Sequence, residues 1–253
     1  TLFRSTASPS LEVYHRAQNK EFRTISGHIP RSKRYTEIVT DTKAVAYGMI
    51  PGELITTIGR GLQNQEVIAI YTPRKDYSGR IQCIDCKKLF LCPECRNALS
   101  YQKQTNLLLC PGCSATYPYE EKCSHCGGNF VRFTRIGAEY LEEQLKNIFK
   151  DCPVMRVTGD TLKDTAQVFH NMPKKAPAII VGTQTLSKLY NVRADKLILV
   201  EWEDLIQMTG YRAEERLFHI IMNLLDALKA EEIYFLTARQ KRVNPAHFLD
   251  FKQ

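Results

Sequence analysis

The stretch EVIAIYT (66–72) carries a continuous apolar run. Such a run suits a strand buried on both faces, as in a parallel sheet. Reading outward, PAIIVGT (177–183), KLILVEW (196–202) and EIYFLTA (232–238) have the same character, with shorter strands expected at VMRVTG (154–159) and YTEIVT (35–40). Segments with helical periodicity separate them. These are SLEVYHRAQN (10–19), residues 50–63, GAEYLEEQLKNIFK (137–150), TLKDTAQVFHN (161–171) and YRAEERLFHIIMNLLDALK (211–229). In 50–63, Pro51 marks the start, and Leu54, Ile55, Ile58 and Leu62 share one face. Residues 26–34 hold Gly, Pro and clustered basic side chains and read as a loop. Strands alternating with helices predict an α/β fold with a parallel sheet covered on both sides. Ligands of such sheets lie beyond the carboxyl ends of the strands. The segments to watch are therefore Thr72–Tyr77, Val181–Lys188 and Glu201–Asp204.

Composition changes abruptly near residue 74. Residues 74–133 are rich in Cys, Lys, Tyr and Pro and poor in aliphatic runs, so they read as an insertion between two units of the sheet. Eight of the nine cysteines form four CxxC pairs there, spaced CxxC-x5-CxxC-x14-CxxC-x9-CxxC. Zinc takes four soft ligands in a tetrahedron, and a CxxC turn supplies two of them from one tight loop. The x14 gap is close to a zinc-ribbon hairpin. It pairs Cys92 and Cys95 with Cys110 and Cys113, and leaves Cys83 and Cys86 with Cys123 and Cys126. Nested pairing also draws the ends of the insertion together. All-cysteine sites keep no open position for water, so the expectation is two structural Zn²⁺ ions rather than catalytic zinc. Eight regularly spaced thiolates serve two metals without remainder, which favours zinc over redox dithiols or an iron–sulfur cluster. His125 lies inside the last knuckle, where Cys126 already fills the ligand role, and Cys152 reads as a half-buried small residue.

With 253 residues, 43% of them hydrophobic, the chain can bury one large or two modest cores. No apolar run approaches the roughly 20 residues of a membrane span, and the chain opens without a secretion signal. Clustered CxxC pairs fit metal binding in a reducing cytoplasm better than a disulfide framework. The formal net charge of +8 points to an anionic partner such as nucleic acid. Eight zinc-bound thiolates and two Zn²⁺ ions would lower it to about +4, which weakens that argument.

The eight-cysteine pattern inside an α/β lobe resembles the PriA family of bacterial replication restart helicases, also called primosomal protein N′. Residues 5–12 (STASPSLE) resemble the family's SATPSLE motif, and Val181-Gly182-Thr183-Gln184 with Lys188 resembles its VGTQM-AKG motif. Gly137-Ala138-Glu139 resembles the GTE after the zinc module, and Arg212-Ala213-Glu214-Glu215-Arg216 resembles FRAAER. The resemblance implies a RecA-like lobe, the second of a superfamily 2 helicase, carrying an inserted two-zinc ribbon module. It divides the chain into 1–25 (end of the first motor lobe), 26–73 (start of the second), 74–133 (two-zinc module) and 134–253 (remainder of the second lobe). Thr6, Ser8, Gly182, Thr183, Gln184, Lys188, Arg212 and Arg216 would then couple nucleotide and DNA. Forked or single-stranded DNA, single-strand binding protein and primosome components are the implied partners.

Two departures qualify this. Neither a GxxxxGK[ST] phosphate loop nor an acidic Mg²⁺ motif occurs in residues 1–253. Both belong to the first lobe of the family, so the chain reads as a fragment that would use ATP and Mg²⁺ only with a complete first lobe. Where the family has QVAGRAGR, the chain has Ile221-Met222-Asn223-Leu224-Leu225-Asp226-Ala227-Leu228, with no arginine. Leu189 replaces a glycine after Lys188, and Thr72-Pro73-Arg74-Lys75 replaces Asn-Arg-Arg-Gly. No catalytic residue is intact, and impaired or lost ATP hydrolysis is expected even in the parent protein. Among smaller signals, Tyr117, Tyr119, Phe130 and Phe133 flank the knuckles and are expected mostly to pack against the ribbons. Lys87, Lys88, Arg96, Lys122, Arg132 and Arg135 decorate the same region and could offset thiolate charge or meet phosphates. Glu201, Glu203 and Asp204 stand where the family has LDAD, with no metal role implied.

Overall fold

A computed structural model of the chain describes residues 10–21, 34–39, 50–161, 177–189, 192–203, 205 and 212–237. The helix expected at 161–171, the loop at 26–34, and Thr6, Ser8 and Asp204 lie wholly or almost wholly outside them. The strands expected from apolar runs form one six-stranded parallel sheet, ordered β1-β11-β10-β2-β9-β8. These are β1 (Arg34–Val39), β2 (Val67–Tyr71), β8 (Val154–Val157), β9 (Ala178–Gly182), β10 (Lys196–Val200) and β11 (Glu232–Thr237). Why the runs are unbroken is visible in the packing. Ala69, Tyr71, Ile180, Leu197 and Leu199 face one core, while Ile68, Ile70, Ile179, Val181, Ile198 and Val200 face another. Both faces of each central strand are dry, so neither can be polar.

The first core is roofed by α4 (Ala213–Leu228) and by a 3-10 turn at Gln184–Lys188 that contributes Leu186. The second is roofed by α2 (Gly52–Gln63) and α3 (Ala138–Ile148) through Leu54, Ile58, Leu141 and Leu145. The last described helix, α1 (Leu11–Gln18), buries no residue. Ser10 caps it, accepting a hydrogen bond from the Val13 amide, and the Leu11 amide donates to Glu215 of α4. At the amino end of the sheet Lys196 is 8% exposed and reaches Glu66 (2.5 Å) and Glu232 (3.1 Å). Burial alone would lower its pKa, but hydrogen bonds to the two carboxylates outweigh that and raise it. The triad ties the starts of β2, β10 and β11 together.

The sequence between β2 and β8 forms a second sheet, antiparallel and ordered β6-β5-β4-β3-β7. Its strands are β3 (Ser78–Cys83), β4 (Ser100–Gln102), β5 (Leu107–Leu109), β6 (Thr116–Pro118) and β7 (Val131–Ile136). Only Tyr77, Ile81, Cys92, Leu99, Tyr101, Leu108 and Cys110 form its buried core, a small one for five strands.

Candidate metal centres

Each CxxC pair opens a turn with the same hydrogen bonding. The first cysteine's amide donates to the carbonyl five residues on: Cys83 to Lys88, Cys92 to Asn97, Cys110 to Ala115 and Cys123 to Gly128. In three of them an amide returns to the first cysteine's carbonyl, from Arg96, Ser114 and Gly127. The residue four after each first cysteine sits in the left-handed region: Lys87 (φ 60°), Arg96 (63°), Ser114 (62°) and Gly127 (73°). Such a conformation costs a non-glycine residue about 1–2 kcal/mol. Three of the four turns bear that cost, which something outside the turn must offset.

The four turns meet in two pairs. Cys83, Cys86, Cys123 and Cys126 form one cluster and Cys92, Cys95, Cys110 and Cys113 the other, with all Sγ atoms of a cluster within 4.8 Å. In the first, Cys83–Cys126 and Cys86–Cys123 are 3.6 and 3.8 Å apart. In the second, Cys92–Cys113 and Cys95–Cys110 are 3.6 and 3.3 Å apart. A tetrahedron with Zn–S of about 2.3 Å has S···S edges of about 3.8 Å. The donor sets and spacings therefore fit one tetrahedral metal each. Cys83, Cys92, Cys110 and Cys123 are buried and their partners more exposed.

Without a cation these clusters resist full ionisation. The Tyr117 hydroxyl, 3.4 Å from Cys92 Sγ, is the main reason the Cys92 thiol is lowered to about 6, helped by the Cys95 and Glu94 amides and opposed by burial. Backbone amides of Cys126 and His125 lower Cys123 to about 7. The amide of Cys113 leads in lowering Cys110. The last thiols behave oppositely. The Ala115 amide favours the Cys113 thiolate, but Cys110, burial, Cys92 and Cys95 outweigh it and push the group up to about 12. For Cys126 the Gly128 amide is likewise outweighed, chiefly by Cys83 and Cys86, and the group rises to about 12. A divalent cation supplies the charge that lets all four sulfurs ionise together.

Other predicted residues are placed as follows. His125 is exposed and its ring meets Lys88 Nζ from the first turn, across the two paired loops. Tyr117, Tyr119 and Phe133 pack into the small core, whereas Phe130 is 68% exposed. Cys152 is half-buried against the second core. Gly182 ends β9, where a side chain would meet the Val157 carbonyl at 2.3 Å, a close approach that only glycine permits. Thr183 precedes the 3-10 turn, its hydroxyl 2.7 Å from that of Thr185, and Gln184 and Lys188 are exposed. Arg212 pairs with Glu12 of α1 and lies 4.0 Å from Glu215, while Arg216 is exposed on α4. Residues Ile221, Met222, Leu224, Leu225, Ala227 and Leu228 are buried under the sheet. The stretch without arginines is thus the apolar face of a core helix.

Three side chains join the two sheets, and all three fall in stretches set beside family motifs above: Glu139 in Gly137-Ala138-Glu139, Glu201 at the LDAD position and Thr72 in Thr72-Pro73-Arg74-Lys75. The carboxylate of Glu139, in the first turn of α3, accepts from the Lys103 (3.3 Å) and Gln104 (3.0 Å) amides at the β4–β5 turn. Glu201 Oε1, at the carboxyl end of β10, accepts from the Ile136 amide at 3.0 Å. Thr72, at the end of β2, donates to the Ile136 carbonyl at 3.0 Å. Gly137 packs against the Asp76 carbonyl, where a Cβ would stand 1.6 Å away. In sequence Glu139 is marked as the acid of the Gly137-Ala138-Glu139 motif, but a motif that opens a helix reads as an acid in a first helical turn and does not disclose the clamp. Glu201 is visible as an acid after a strand, but nothing there says that it binds backbone.

No family model matches the chain. Among curated proteins it is similar to the replication restart protein PriA of Borreliella burgdorferi, 26% identical over 229 residues, covering 87% of this chain and 34% of that protein. PriA of Thermotoga maritima is 27% identical over 225 residues, covering 87% of this chain and 30% of that protein. PriA of Bacillus subtilis is 23% identical over 226 residues, covering 85% and 28%. The chain spans about a third of the length of the curated relatives it matches.

Proposed function

We propose that this chain, whose curated homologues are PriA replication restart proteins, acts in replication restart as a RecA-like second motor lobe carrying a two-zinc ribbon module. One observation carries the reading. Two all-cysteine clusters of tetrahedral size lie on a sheet inserted between two strands of a parallel α/β sheet, over the region shared with those homologues. Cys83, Cys86, Cys123 and Cys126 would hold one Zn²⁺, and Cys92, Cys95, Cys110 and Cys113 the other. Closed four-thiolate sites supply folding energy, not chemistry. The proposed division is 1–25 for the end of the first lobe, 26–73 and 134–253 for the second, and 74–133 for the zinc module.

In this reading the lobe binds forked or single-stranded DNA in the cytoplasm, with single-strand binding protein and primosome components as partners. Thr6, Ser8, Gly182, Thr183, Gln184, Lys188, Arg212 and Arg216 would couple nucleotide and DNA. ATP and Mg²⁺ would enter only with a first lobe bearing a phosphate loop. No helix among the described residues is long and apolar enough to cross a membrane. Anisotropy with labelled fork DNA tests the reading: binding should weaken steeply as salt rises. Absent or salt-insensitive binding would overturn it and leave the zinc module to protein contacts.

A second reading rests on α4. Between residues 221 and 228, where the PriA family carries arginines, its Ile221, Met222, Leu224, Leu225, Ala227 and Leu228 are buried in the core, and Arg212 is engaged by acids. That supports a non-hydrolysing adaptor derived from the helicase. Fork binding without ATP turnover, in the presence of a complete first lobe, would favour this second reading; DNA-stimulated turnover would favour the first.

A further inference from the structure

The two cysteine clusters are framed alike and finished differently. The outer cluster joins the turns opened by Cys83 and Cys123, and the inner one joins those opened by Cys92 and Cys110. All four turns share one hydrogen-bonding pattern, so equal distances from the first cysteine mark equivalent positions. Five residues on stand Asn97 in the inner centre and Lys88 in the outer. Asn97 Nδ2 donates to Cys95 Sγ at 3.4 Å, whereas Lys88 Nζ turns to the His125 ring. Two residues on in the partner turn stand Gly112 and His125. A Cβ at Gly112 would stand 2.0 Å from Asn97 Nδ2, so the glycine makes room for that amide. Seven residues on in the partner turn stand Tyr117 and Phe130. The Tyr117 hydroxyl lies 3.4 Å from Cys92 Sγ, while Phe130 has no hydroxyl and is exposed. Among the described residues, the outer sulfurs meet side-chain partners only in one another.

Tyr117 has one proton and two acceptors, since its hydroxyl is also 3.2 Å from Glu94 Oε1. Glu94 is exposed and can turn to water, whereas Cys92 is buried. A metal-bound thiolate carries no proton, so in the loaded centre the hydroxyl donates to the sulfur. Donors of this kind orient a ligand and draw charge from it, and losing one costs about 10–100-fold in metal affinity. The inner centre is also built into the core. Cys92 and Cys110 belong to the small apolar cluster, and Cys83 and Cys123 do not, though both are buried. Beside the outer centre the chain has another hold. The β3–β7 ladder runs to the Cys83–Val131 pair, and the Ile84 amide then donates to the Phe130 carbonyl at 2.9 Å. The core can therefore outlast the outer metal.

We propose that the outer cluster is the oxidisable centre of this chain, a thiol switch for peroxide, and that Tyr117 and Asn97 are positioning residues that protect the inner one. Cys126 is the exposed member of the outer cluster. Its thiolate attacks one peroxide oxygen, giving a sulfenic acid and hydroxide. A neighbouring thiolate then attacks that sulfur, giving a disulfide and a second hydroxide. Two electrons pass from sulfur to peroxide, and the metal, left with two of its four ligands, departs. A dithiol reductant restores the site. Exposure alone would order the centres the other way, because Cys95 and Cys113 of the inner cluster are both exposed. The inference rests on the two-zinc reading. A purified chain without zinc would sink that reading, whereas two ions lost at equal rates would sink this inference alone.

The test treats the zinc-loaded full chain with hydrogen peroxide, follows metal release with a metallochromic dye and maps disulfides by mass spectrometry. The first ion should leave about tenfold or more faster than the second, with the early disulfide among Cys83, Cys86, Cys123 and Cys126. The Tyr77 and Leu99 amides, which donate to the Tyr101 and Phe90 carbonyls, should keep their exchange protection after the first ion has gone. Tyr117→Phe and Asn97→Ala should each purify with two ions, speed the second release about tenfold and leave the first unchanged. Simultaneous release, an early disulfide in the inner cluster, or variants that speed both phases alike would overturn the proposal.

Discussion

The two sheets are held together by opposite means. The parallel sheet buries apolar residues on both faces, under α4 on one side and α2 and α3 on the other. Its cohesion comes from area removed from water, at roughly 25 cal/mol per Å². The antiparallel sheet has five short strands and a core of a few side chains, two of which are cysteines. It also maintains left-handed conformations at Lys87, Arg96 and Ser114. A domain that small ordinarily needs staples, and the two thiolate clusters are the staples available. The lesson is that one chain can separate hydrophobic from metal-dependent stability so cleanly that each should fail alone.

Removing the metal gives the largest expected effect. Structural zinc supplies about 10–16 kcal/mol of apparent binding energy in small zinc domains at neutral pH. A chelator should therefore collapse amide protection across Ser78–Ile136 while leaving β2, β9 and β10 protected in hydrogen exchange. Simultaneous loss in both sheets would erase the distinction. Next in size is Leu199→Ala, which opens a cavity in the first core and should cost about 2–5 kcal/mol by urea unfolding. Its zinc content should not change.

Glu139→Ala targets the joint between the sheets. It leaves the Lys103 and Gln104 amides without their carboxylate and should cost about 1–3 kcal/mol. Faster exchange confined to those two amides would locate the clamp there, and unchanged exchange would remove Glu139 from that role. The smallest effect belongs to Ser114→Gly. It relieves a left-handed strain of about 1–2 kcal/mol, offset in part by the roughly 0.5–1 kcal/mol entropy cost of glycine, and should shift chelator-induced unfolding to slightly higher chelator concentration. A loss of stability would mean that the turn relies on the serine side chain.

The parallel sheet was legible because burial on both faces writes itself as apolar runs. EVIAIYT, PAIIVGT, KLILVEW and EIYFLTA each became a strand, within two residues of the expected ends. The cysteine turns were legible for another reason: metal geometry imposes a fixed local spacing. The joint was not. Glu139, Glu201 and Thr72 act on backbone amides and carbonyls far away in sequence, and a contact with backbone leaves no matching side chain to read. The exposed face of the antiparallel sheet was also hidden, because the cysteine turns break the alternation that would have set Phe130 apart from Phe133.

The central claim is that two closed four-thiolate sites hold the antiparallel sheet. Counting metal in the purified chain by elemental analysis tests it directly, alongside Cys92→Ser and Cys83→Ser. The account predicts two zinc ions per chain, falling to one in each variant and to none when both are combined. Two ions retained in either variant, or iron in place of zinc, would contradict it.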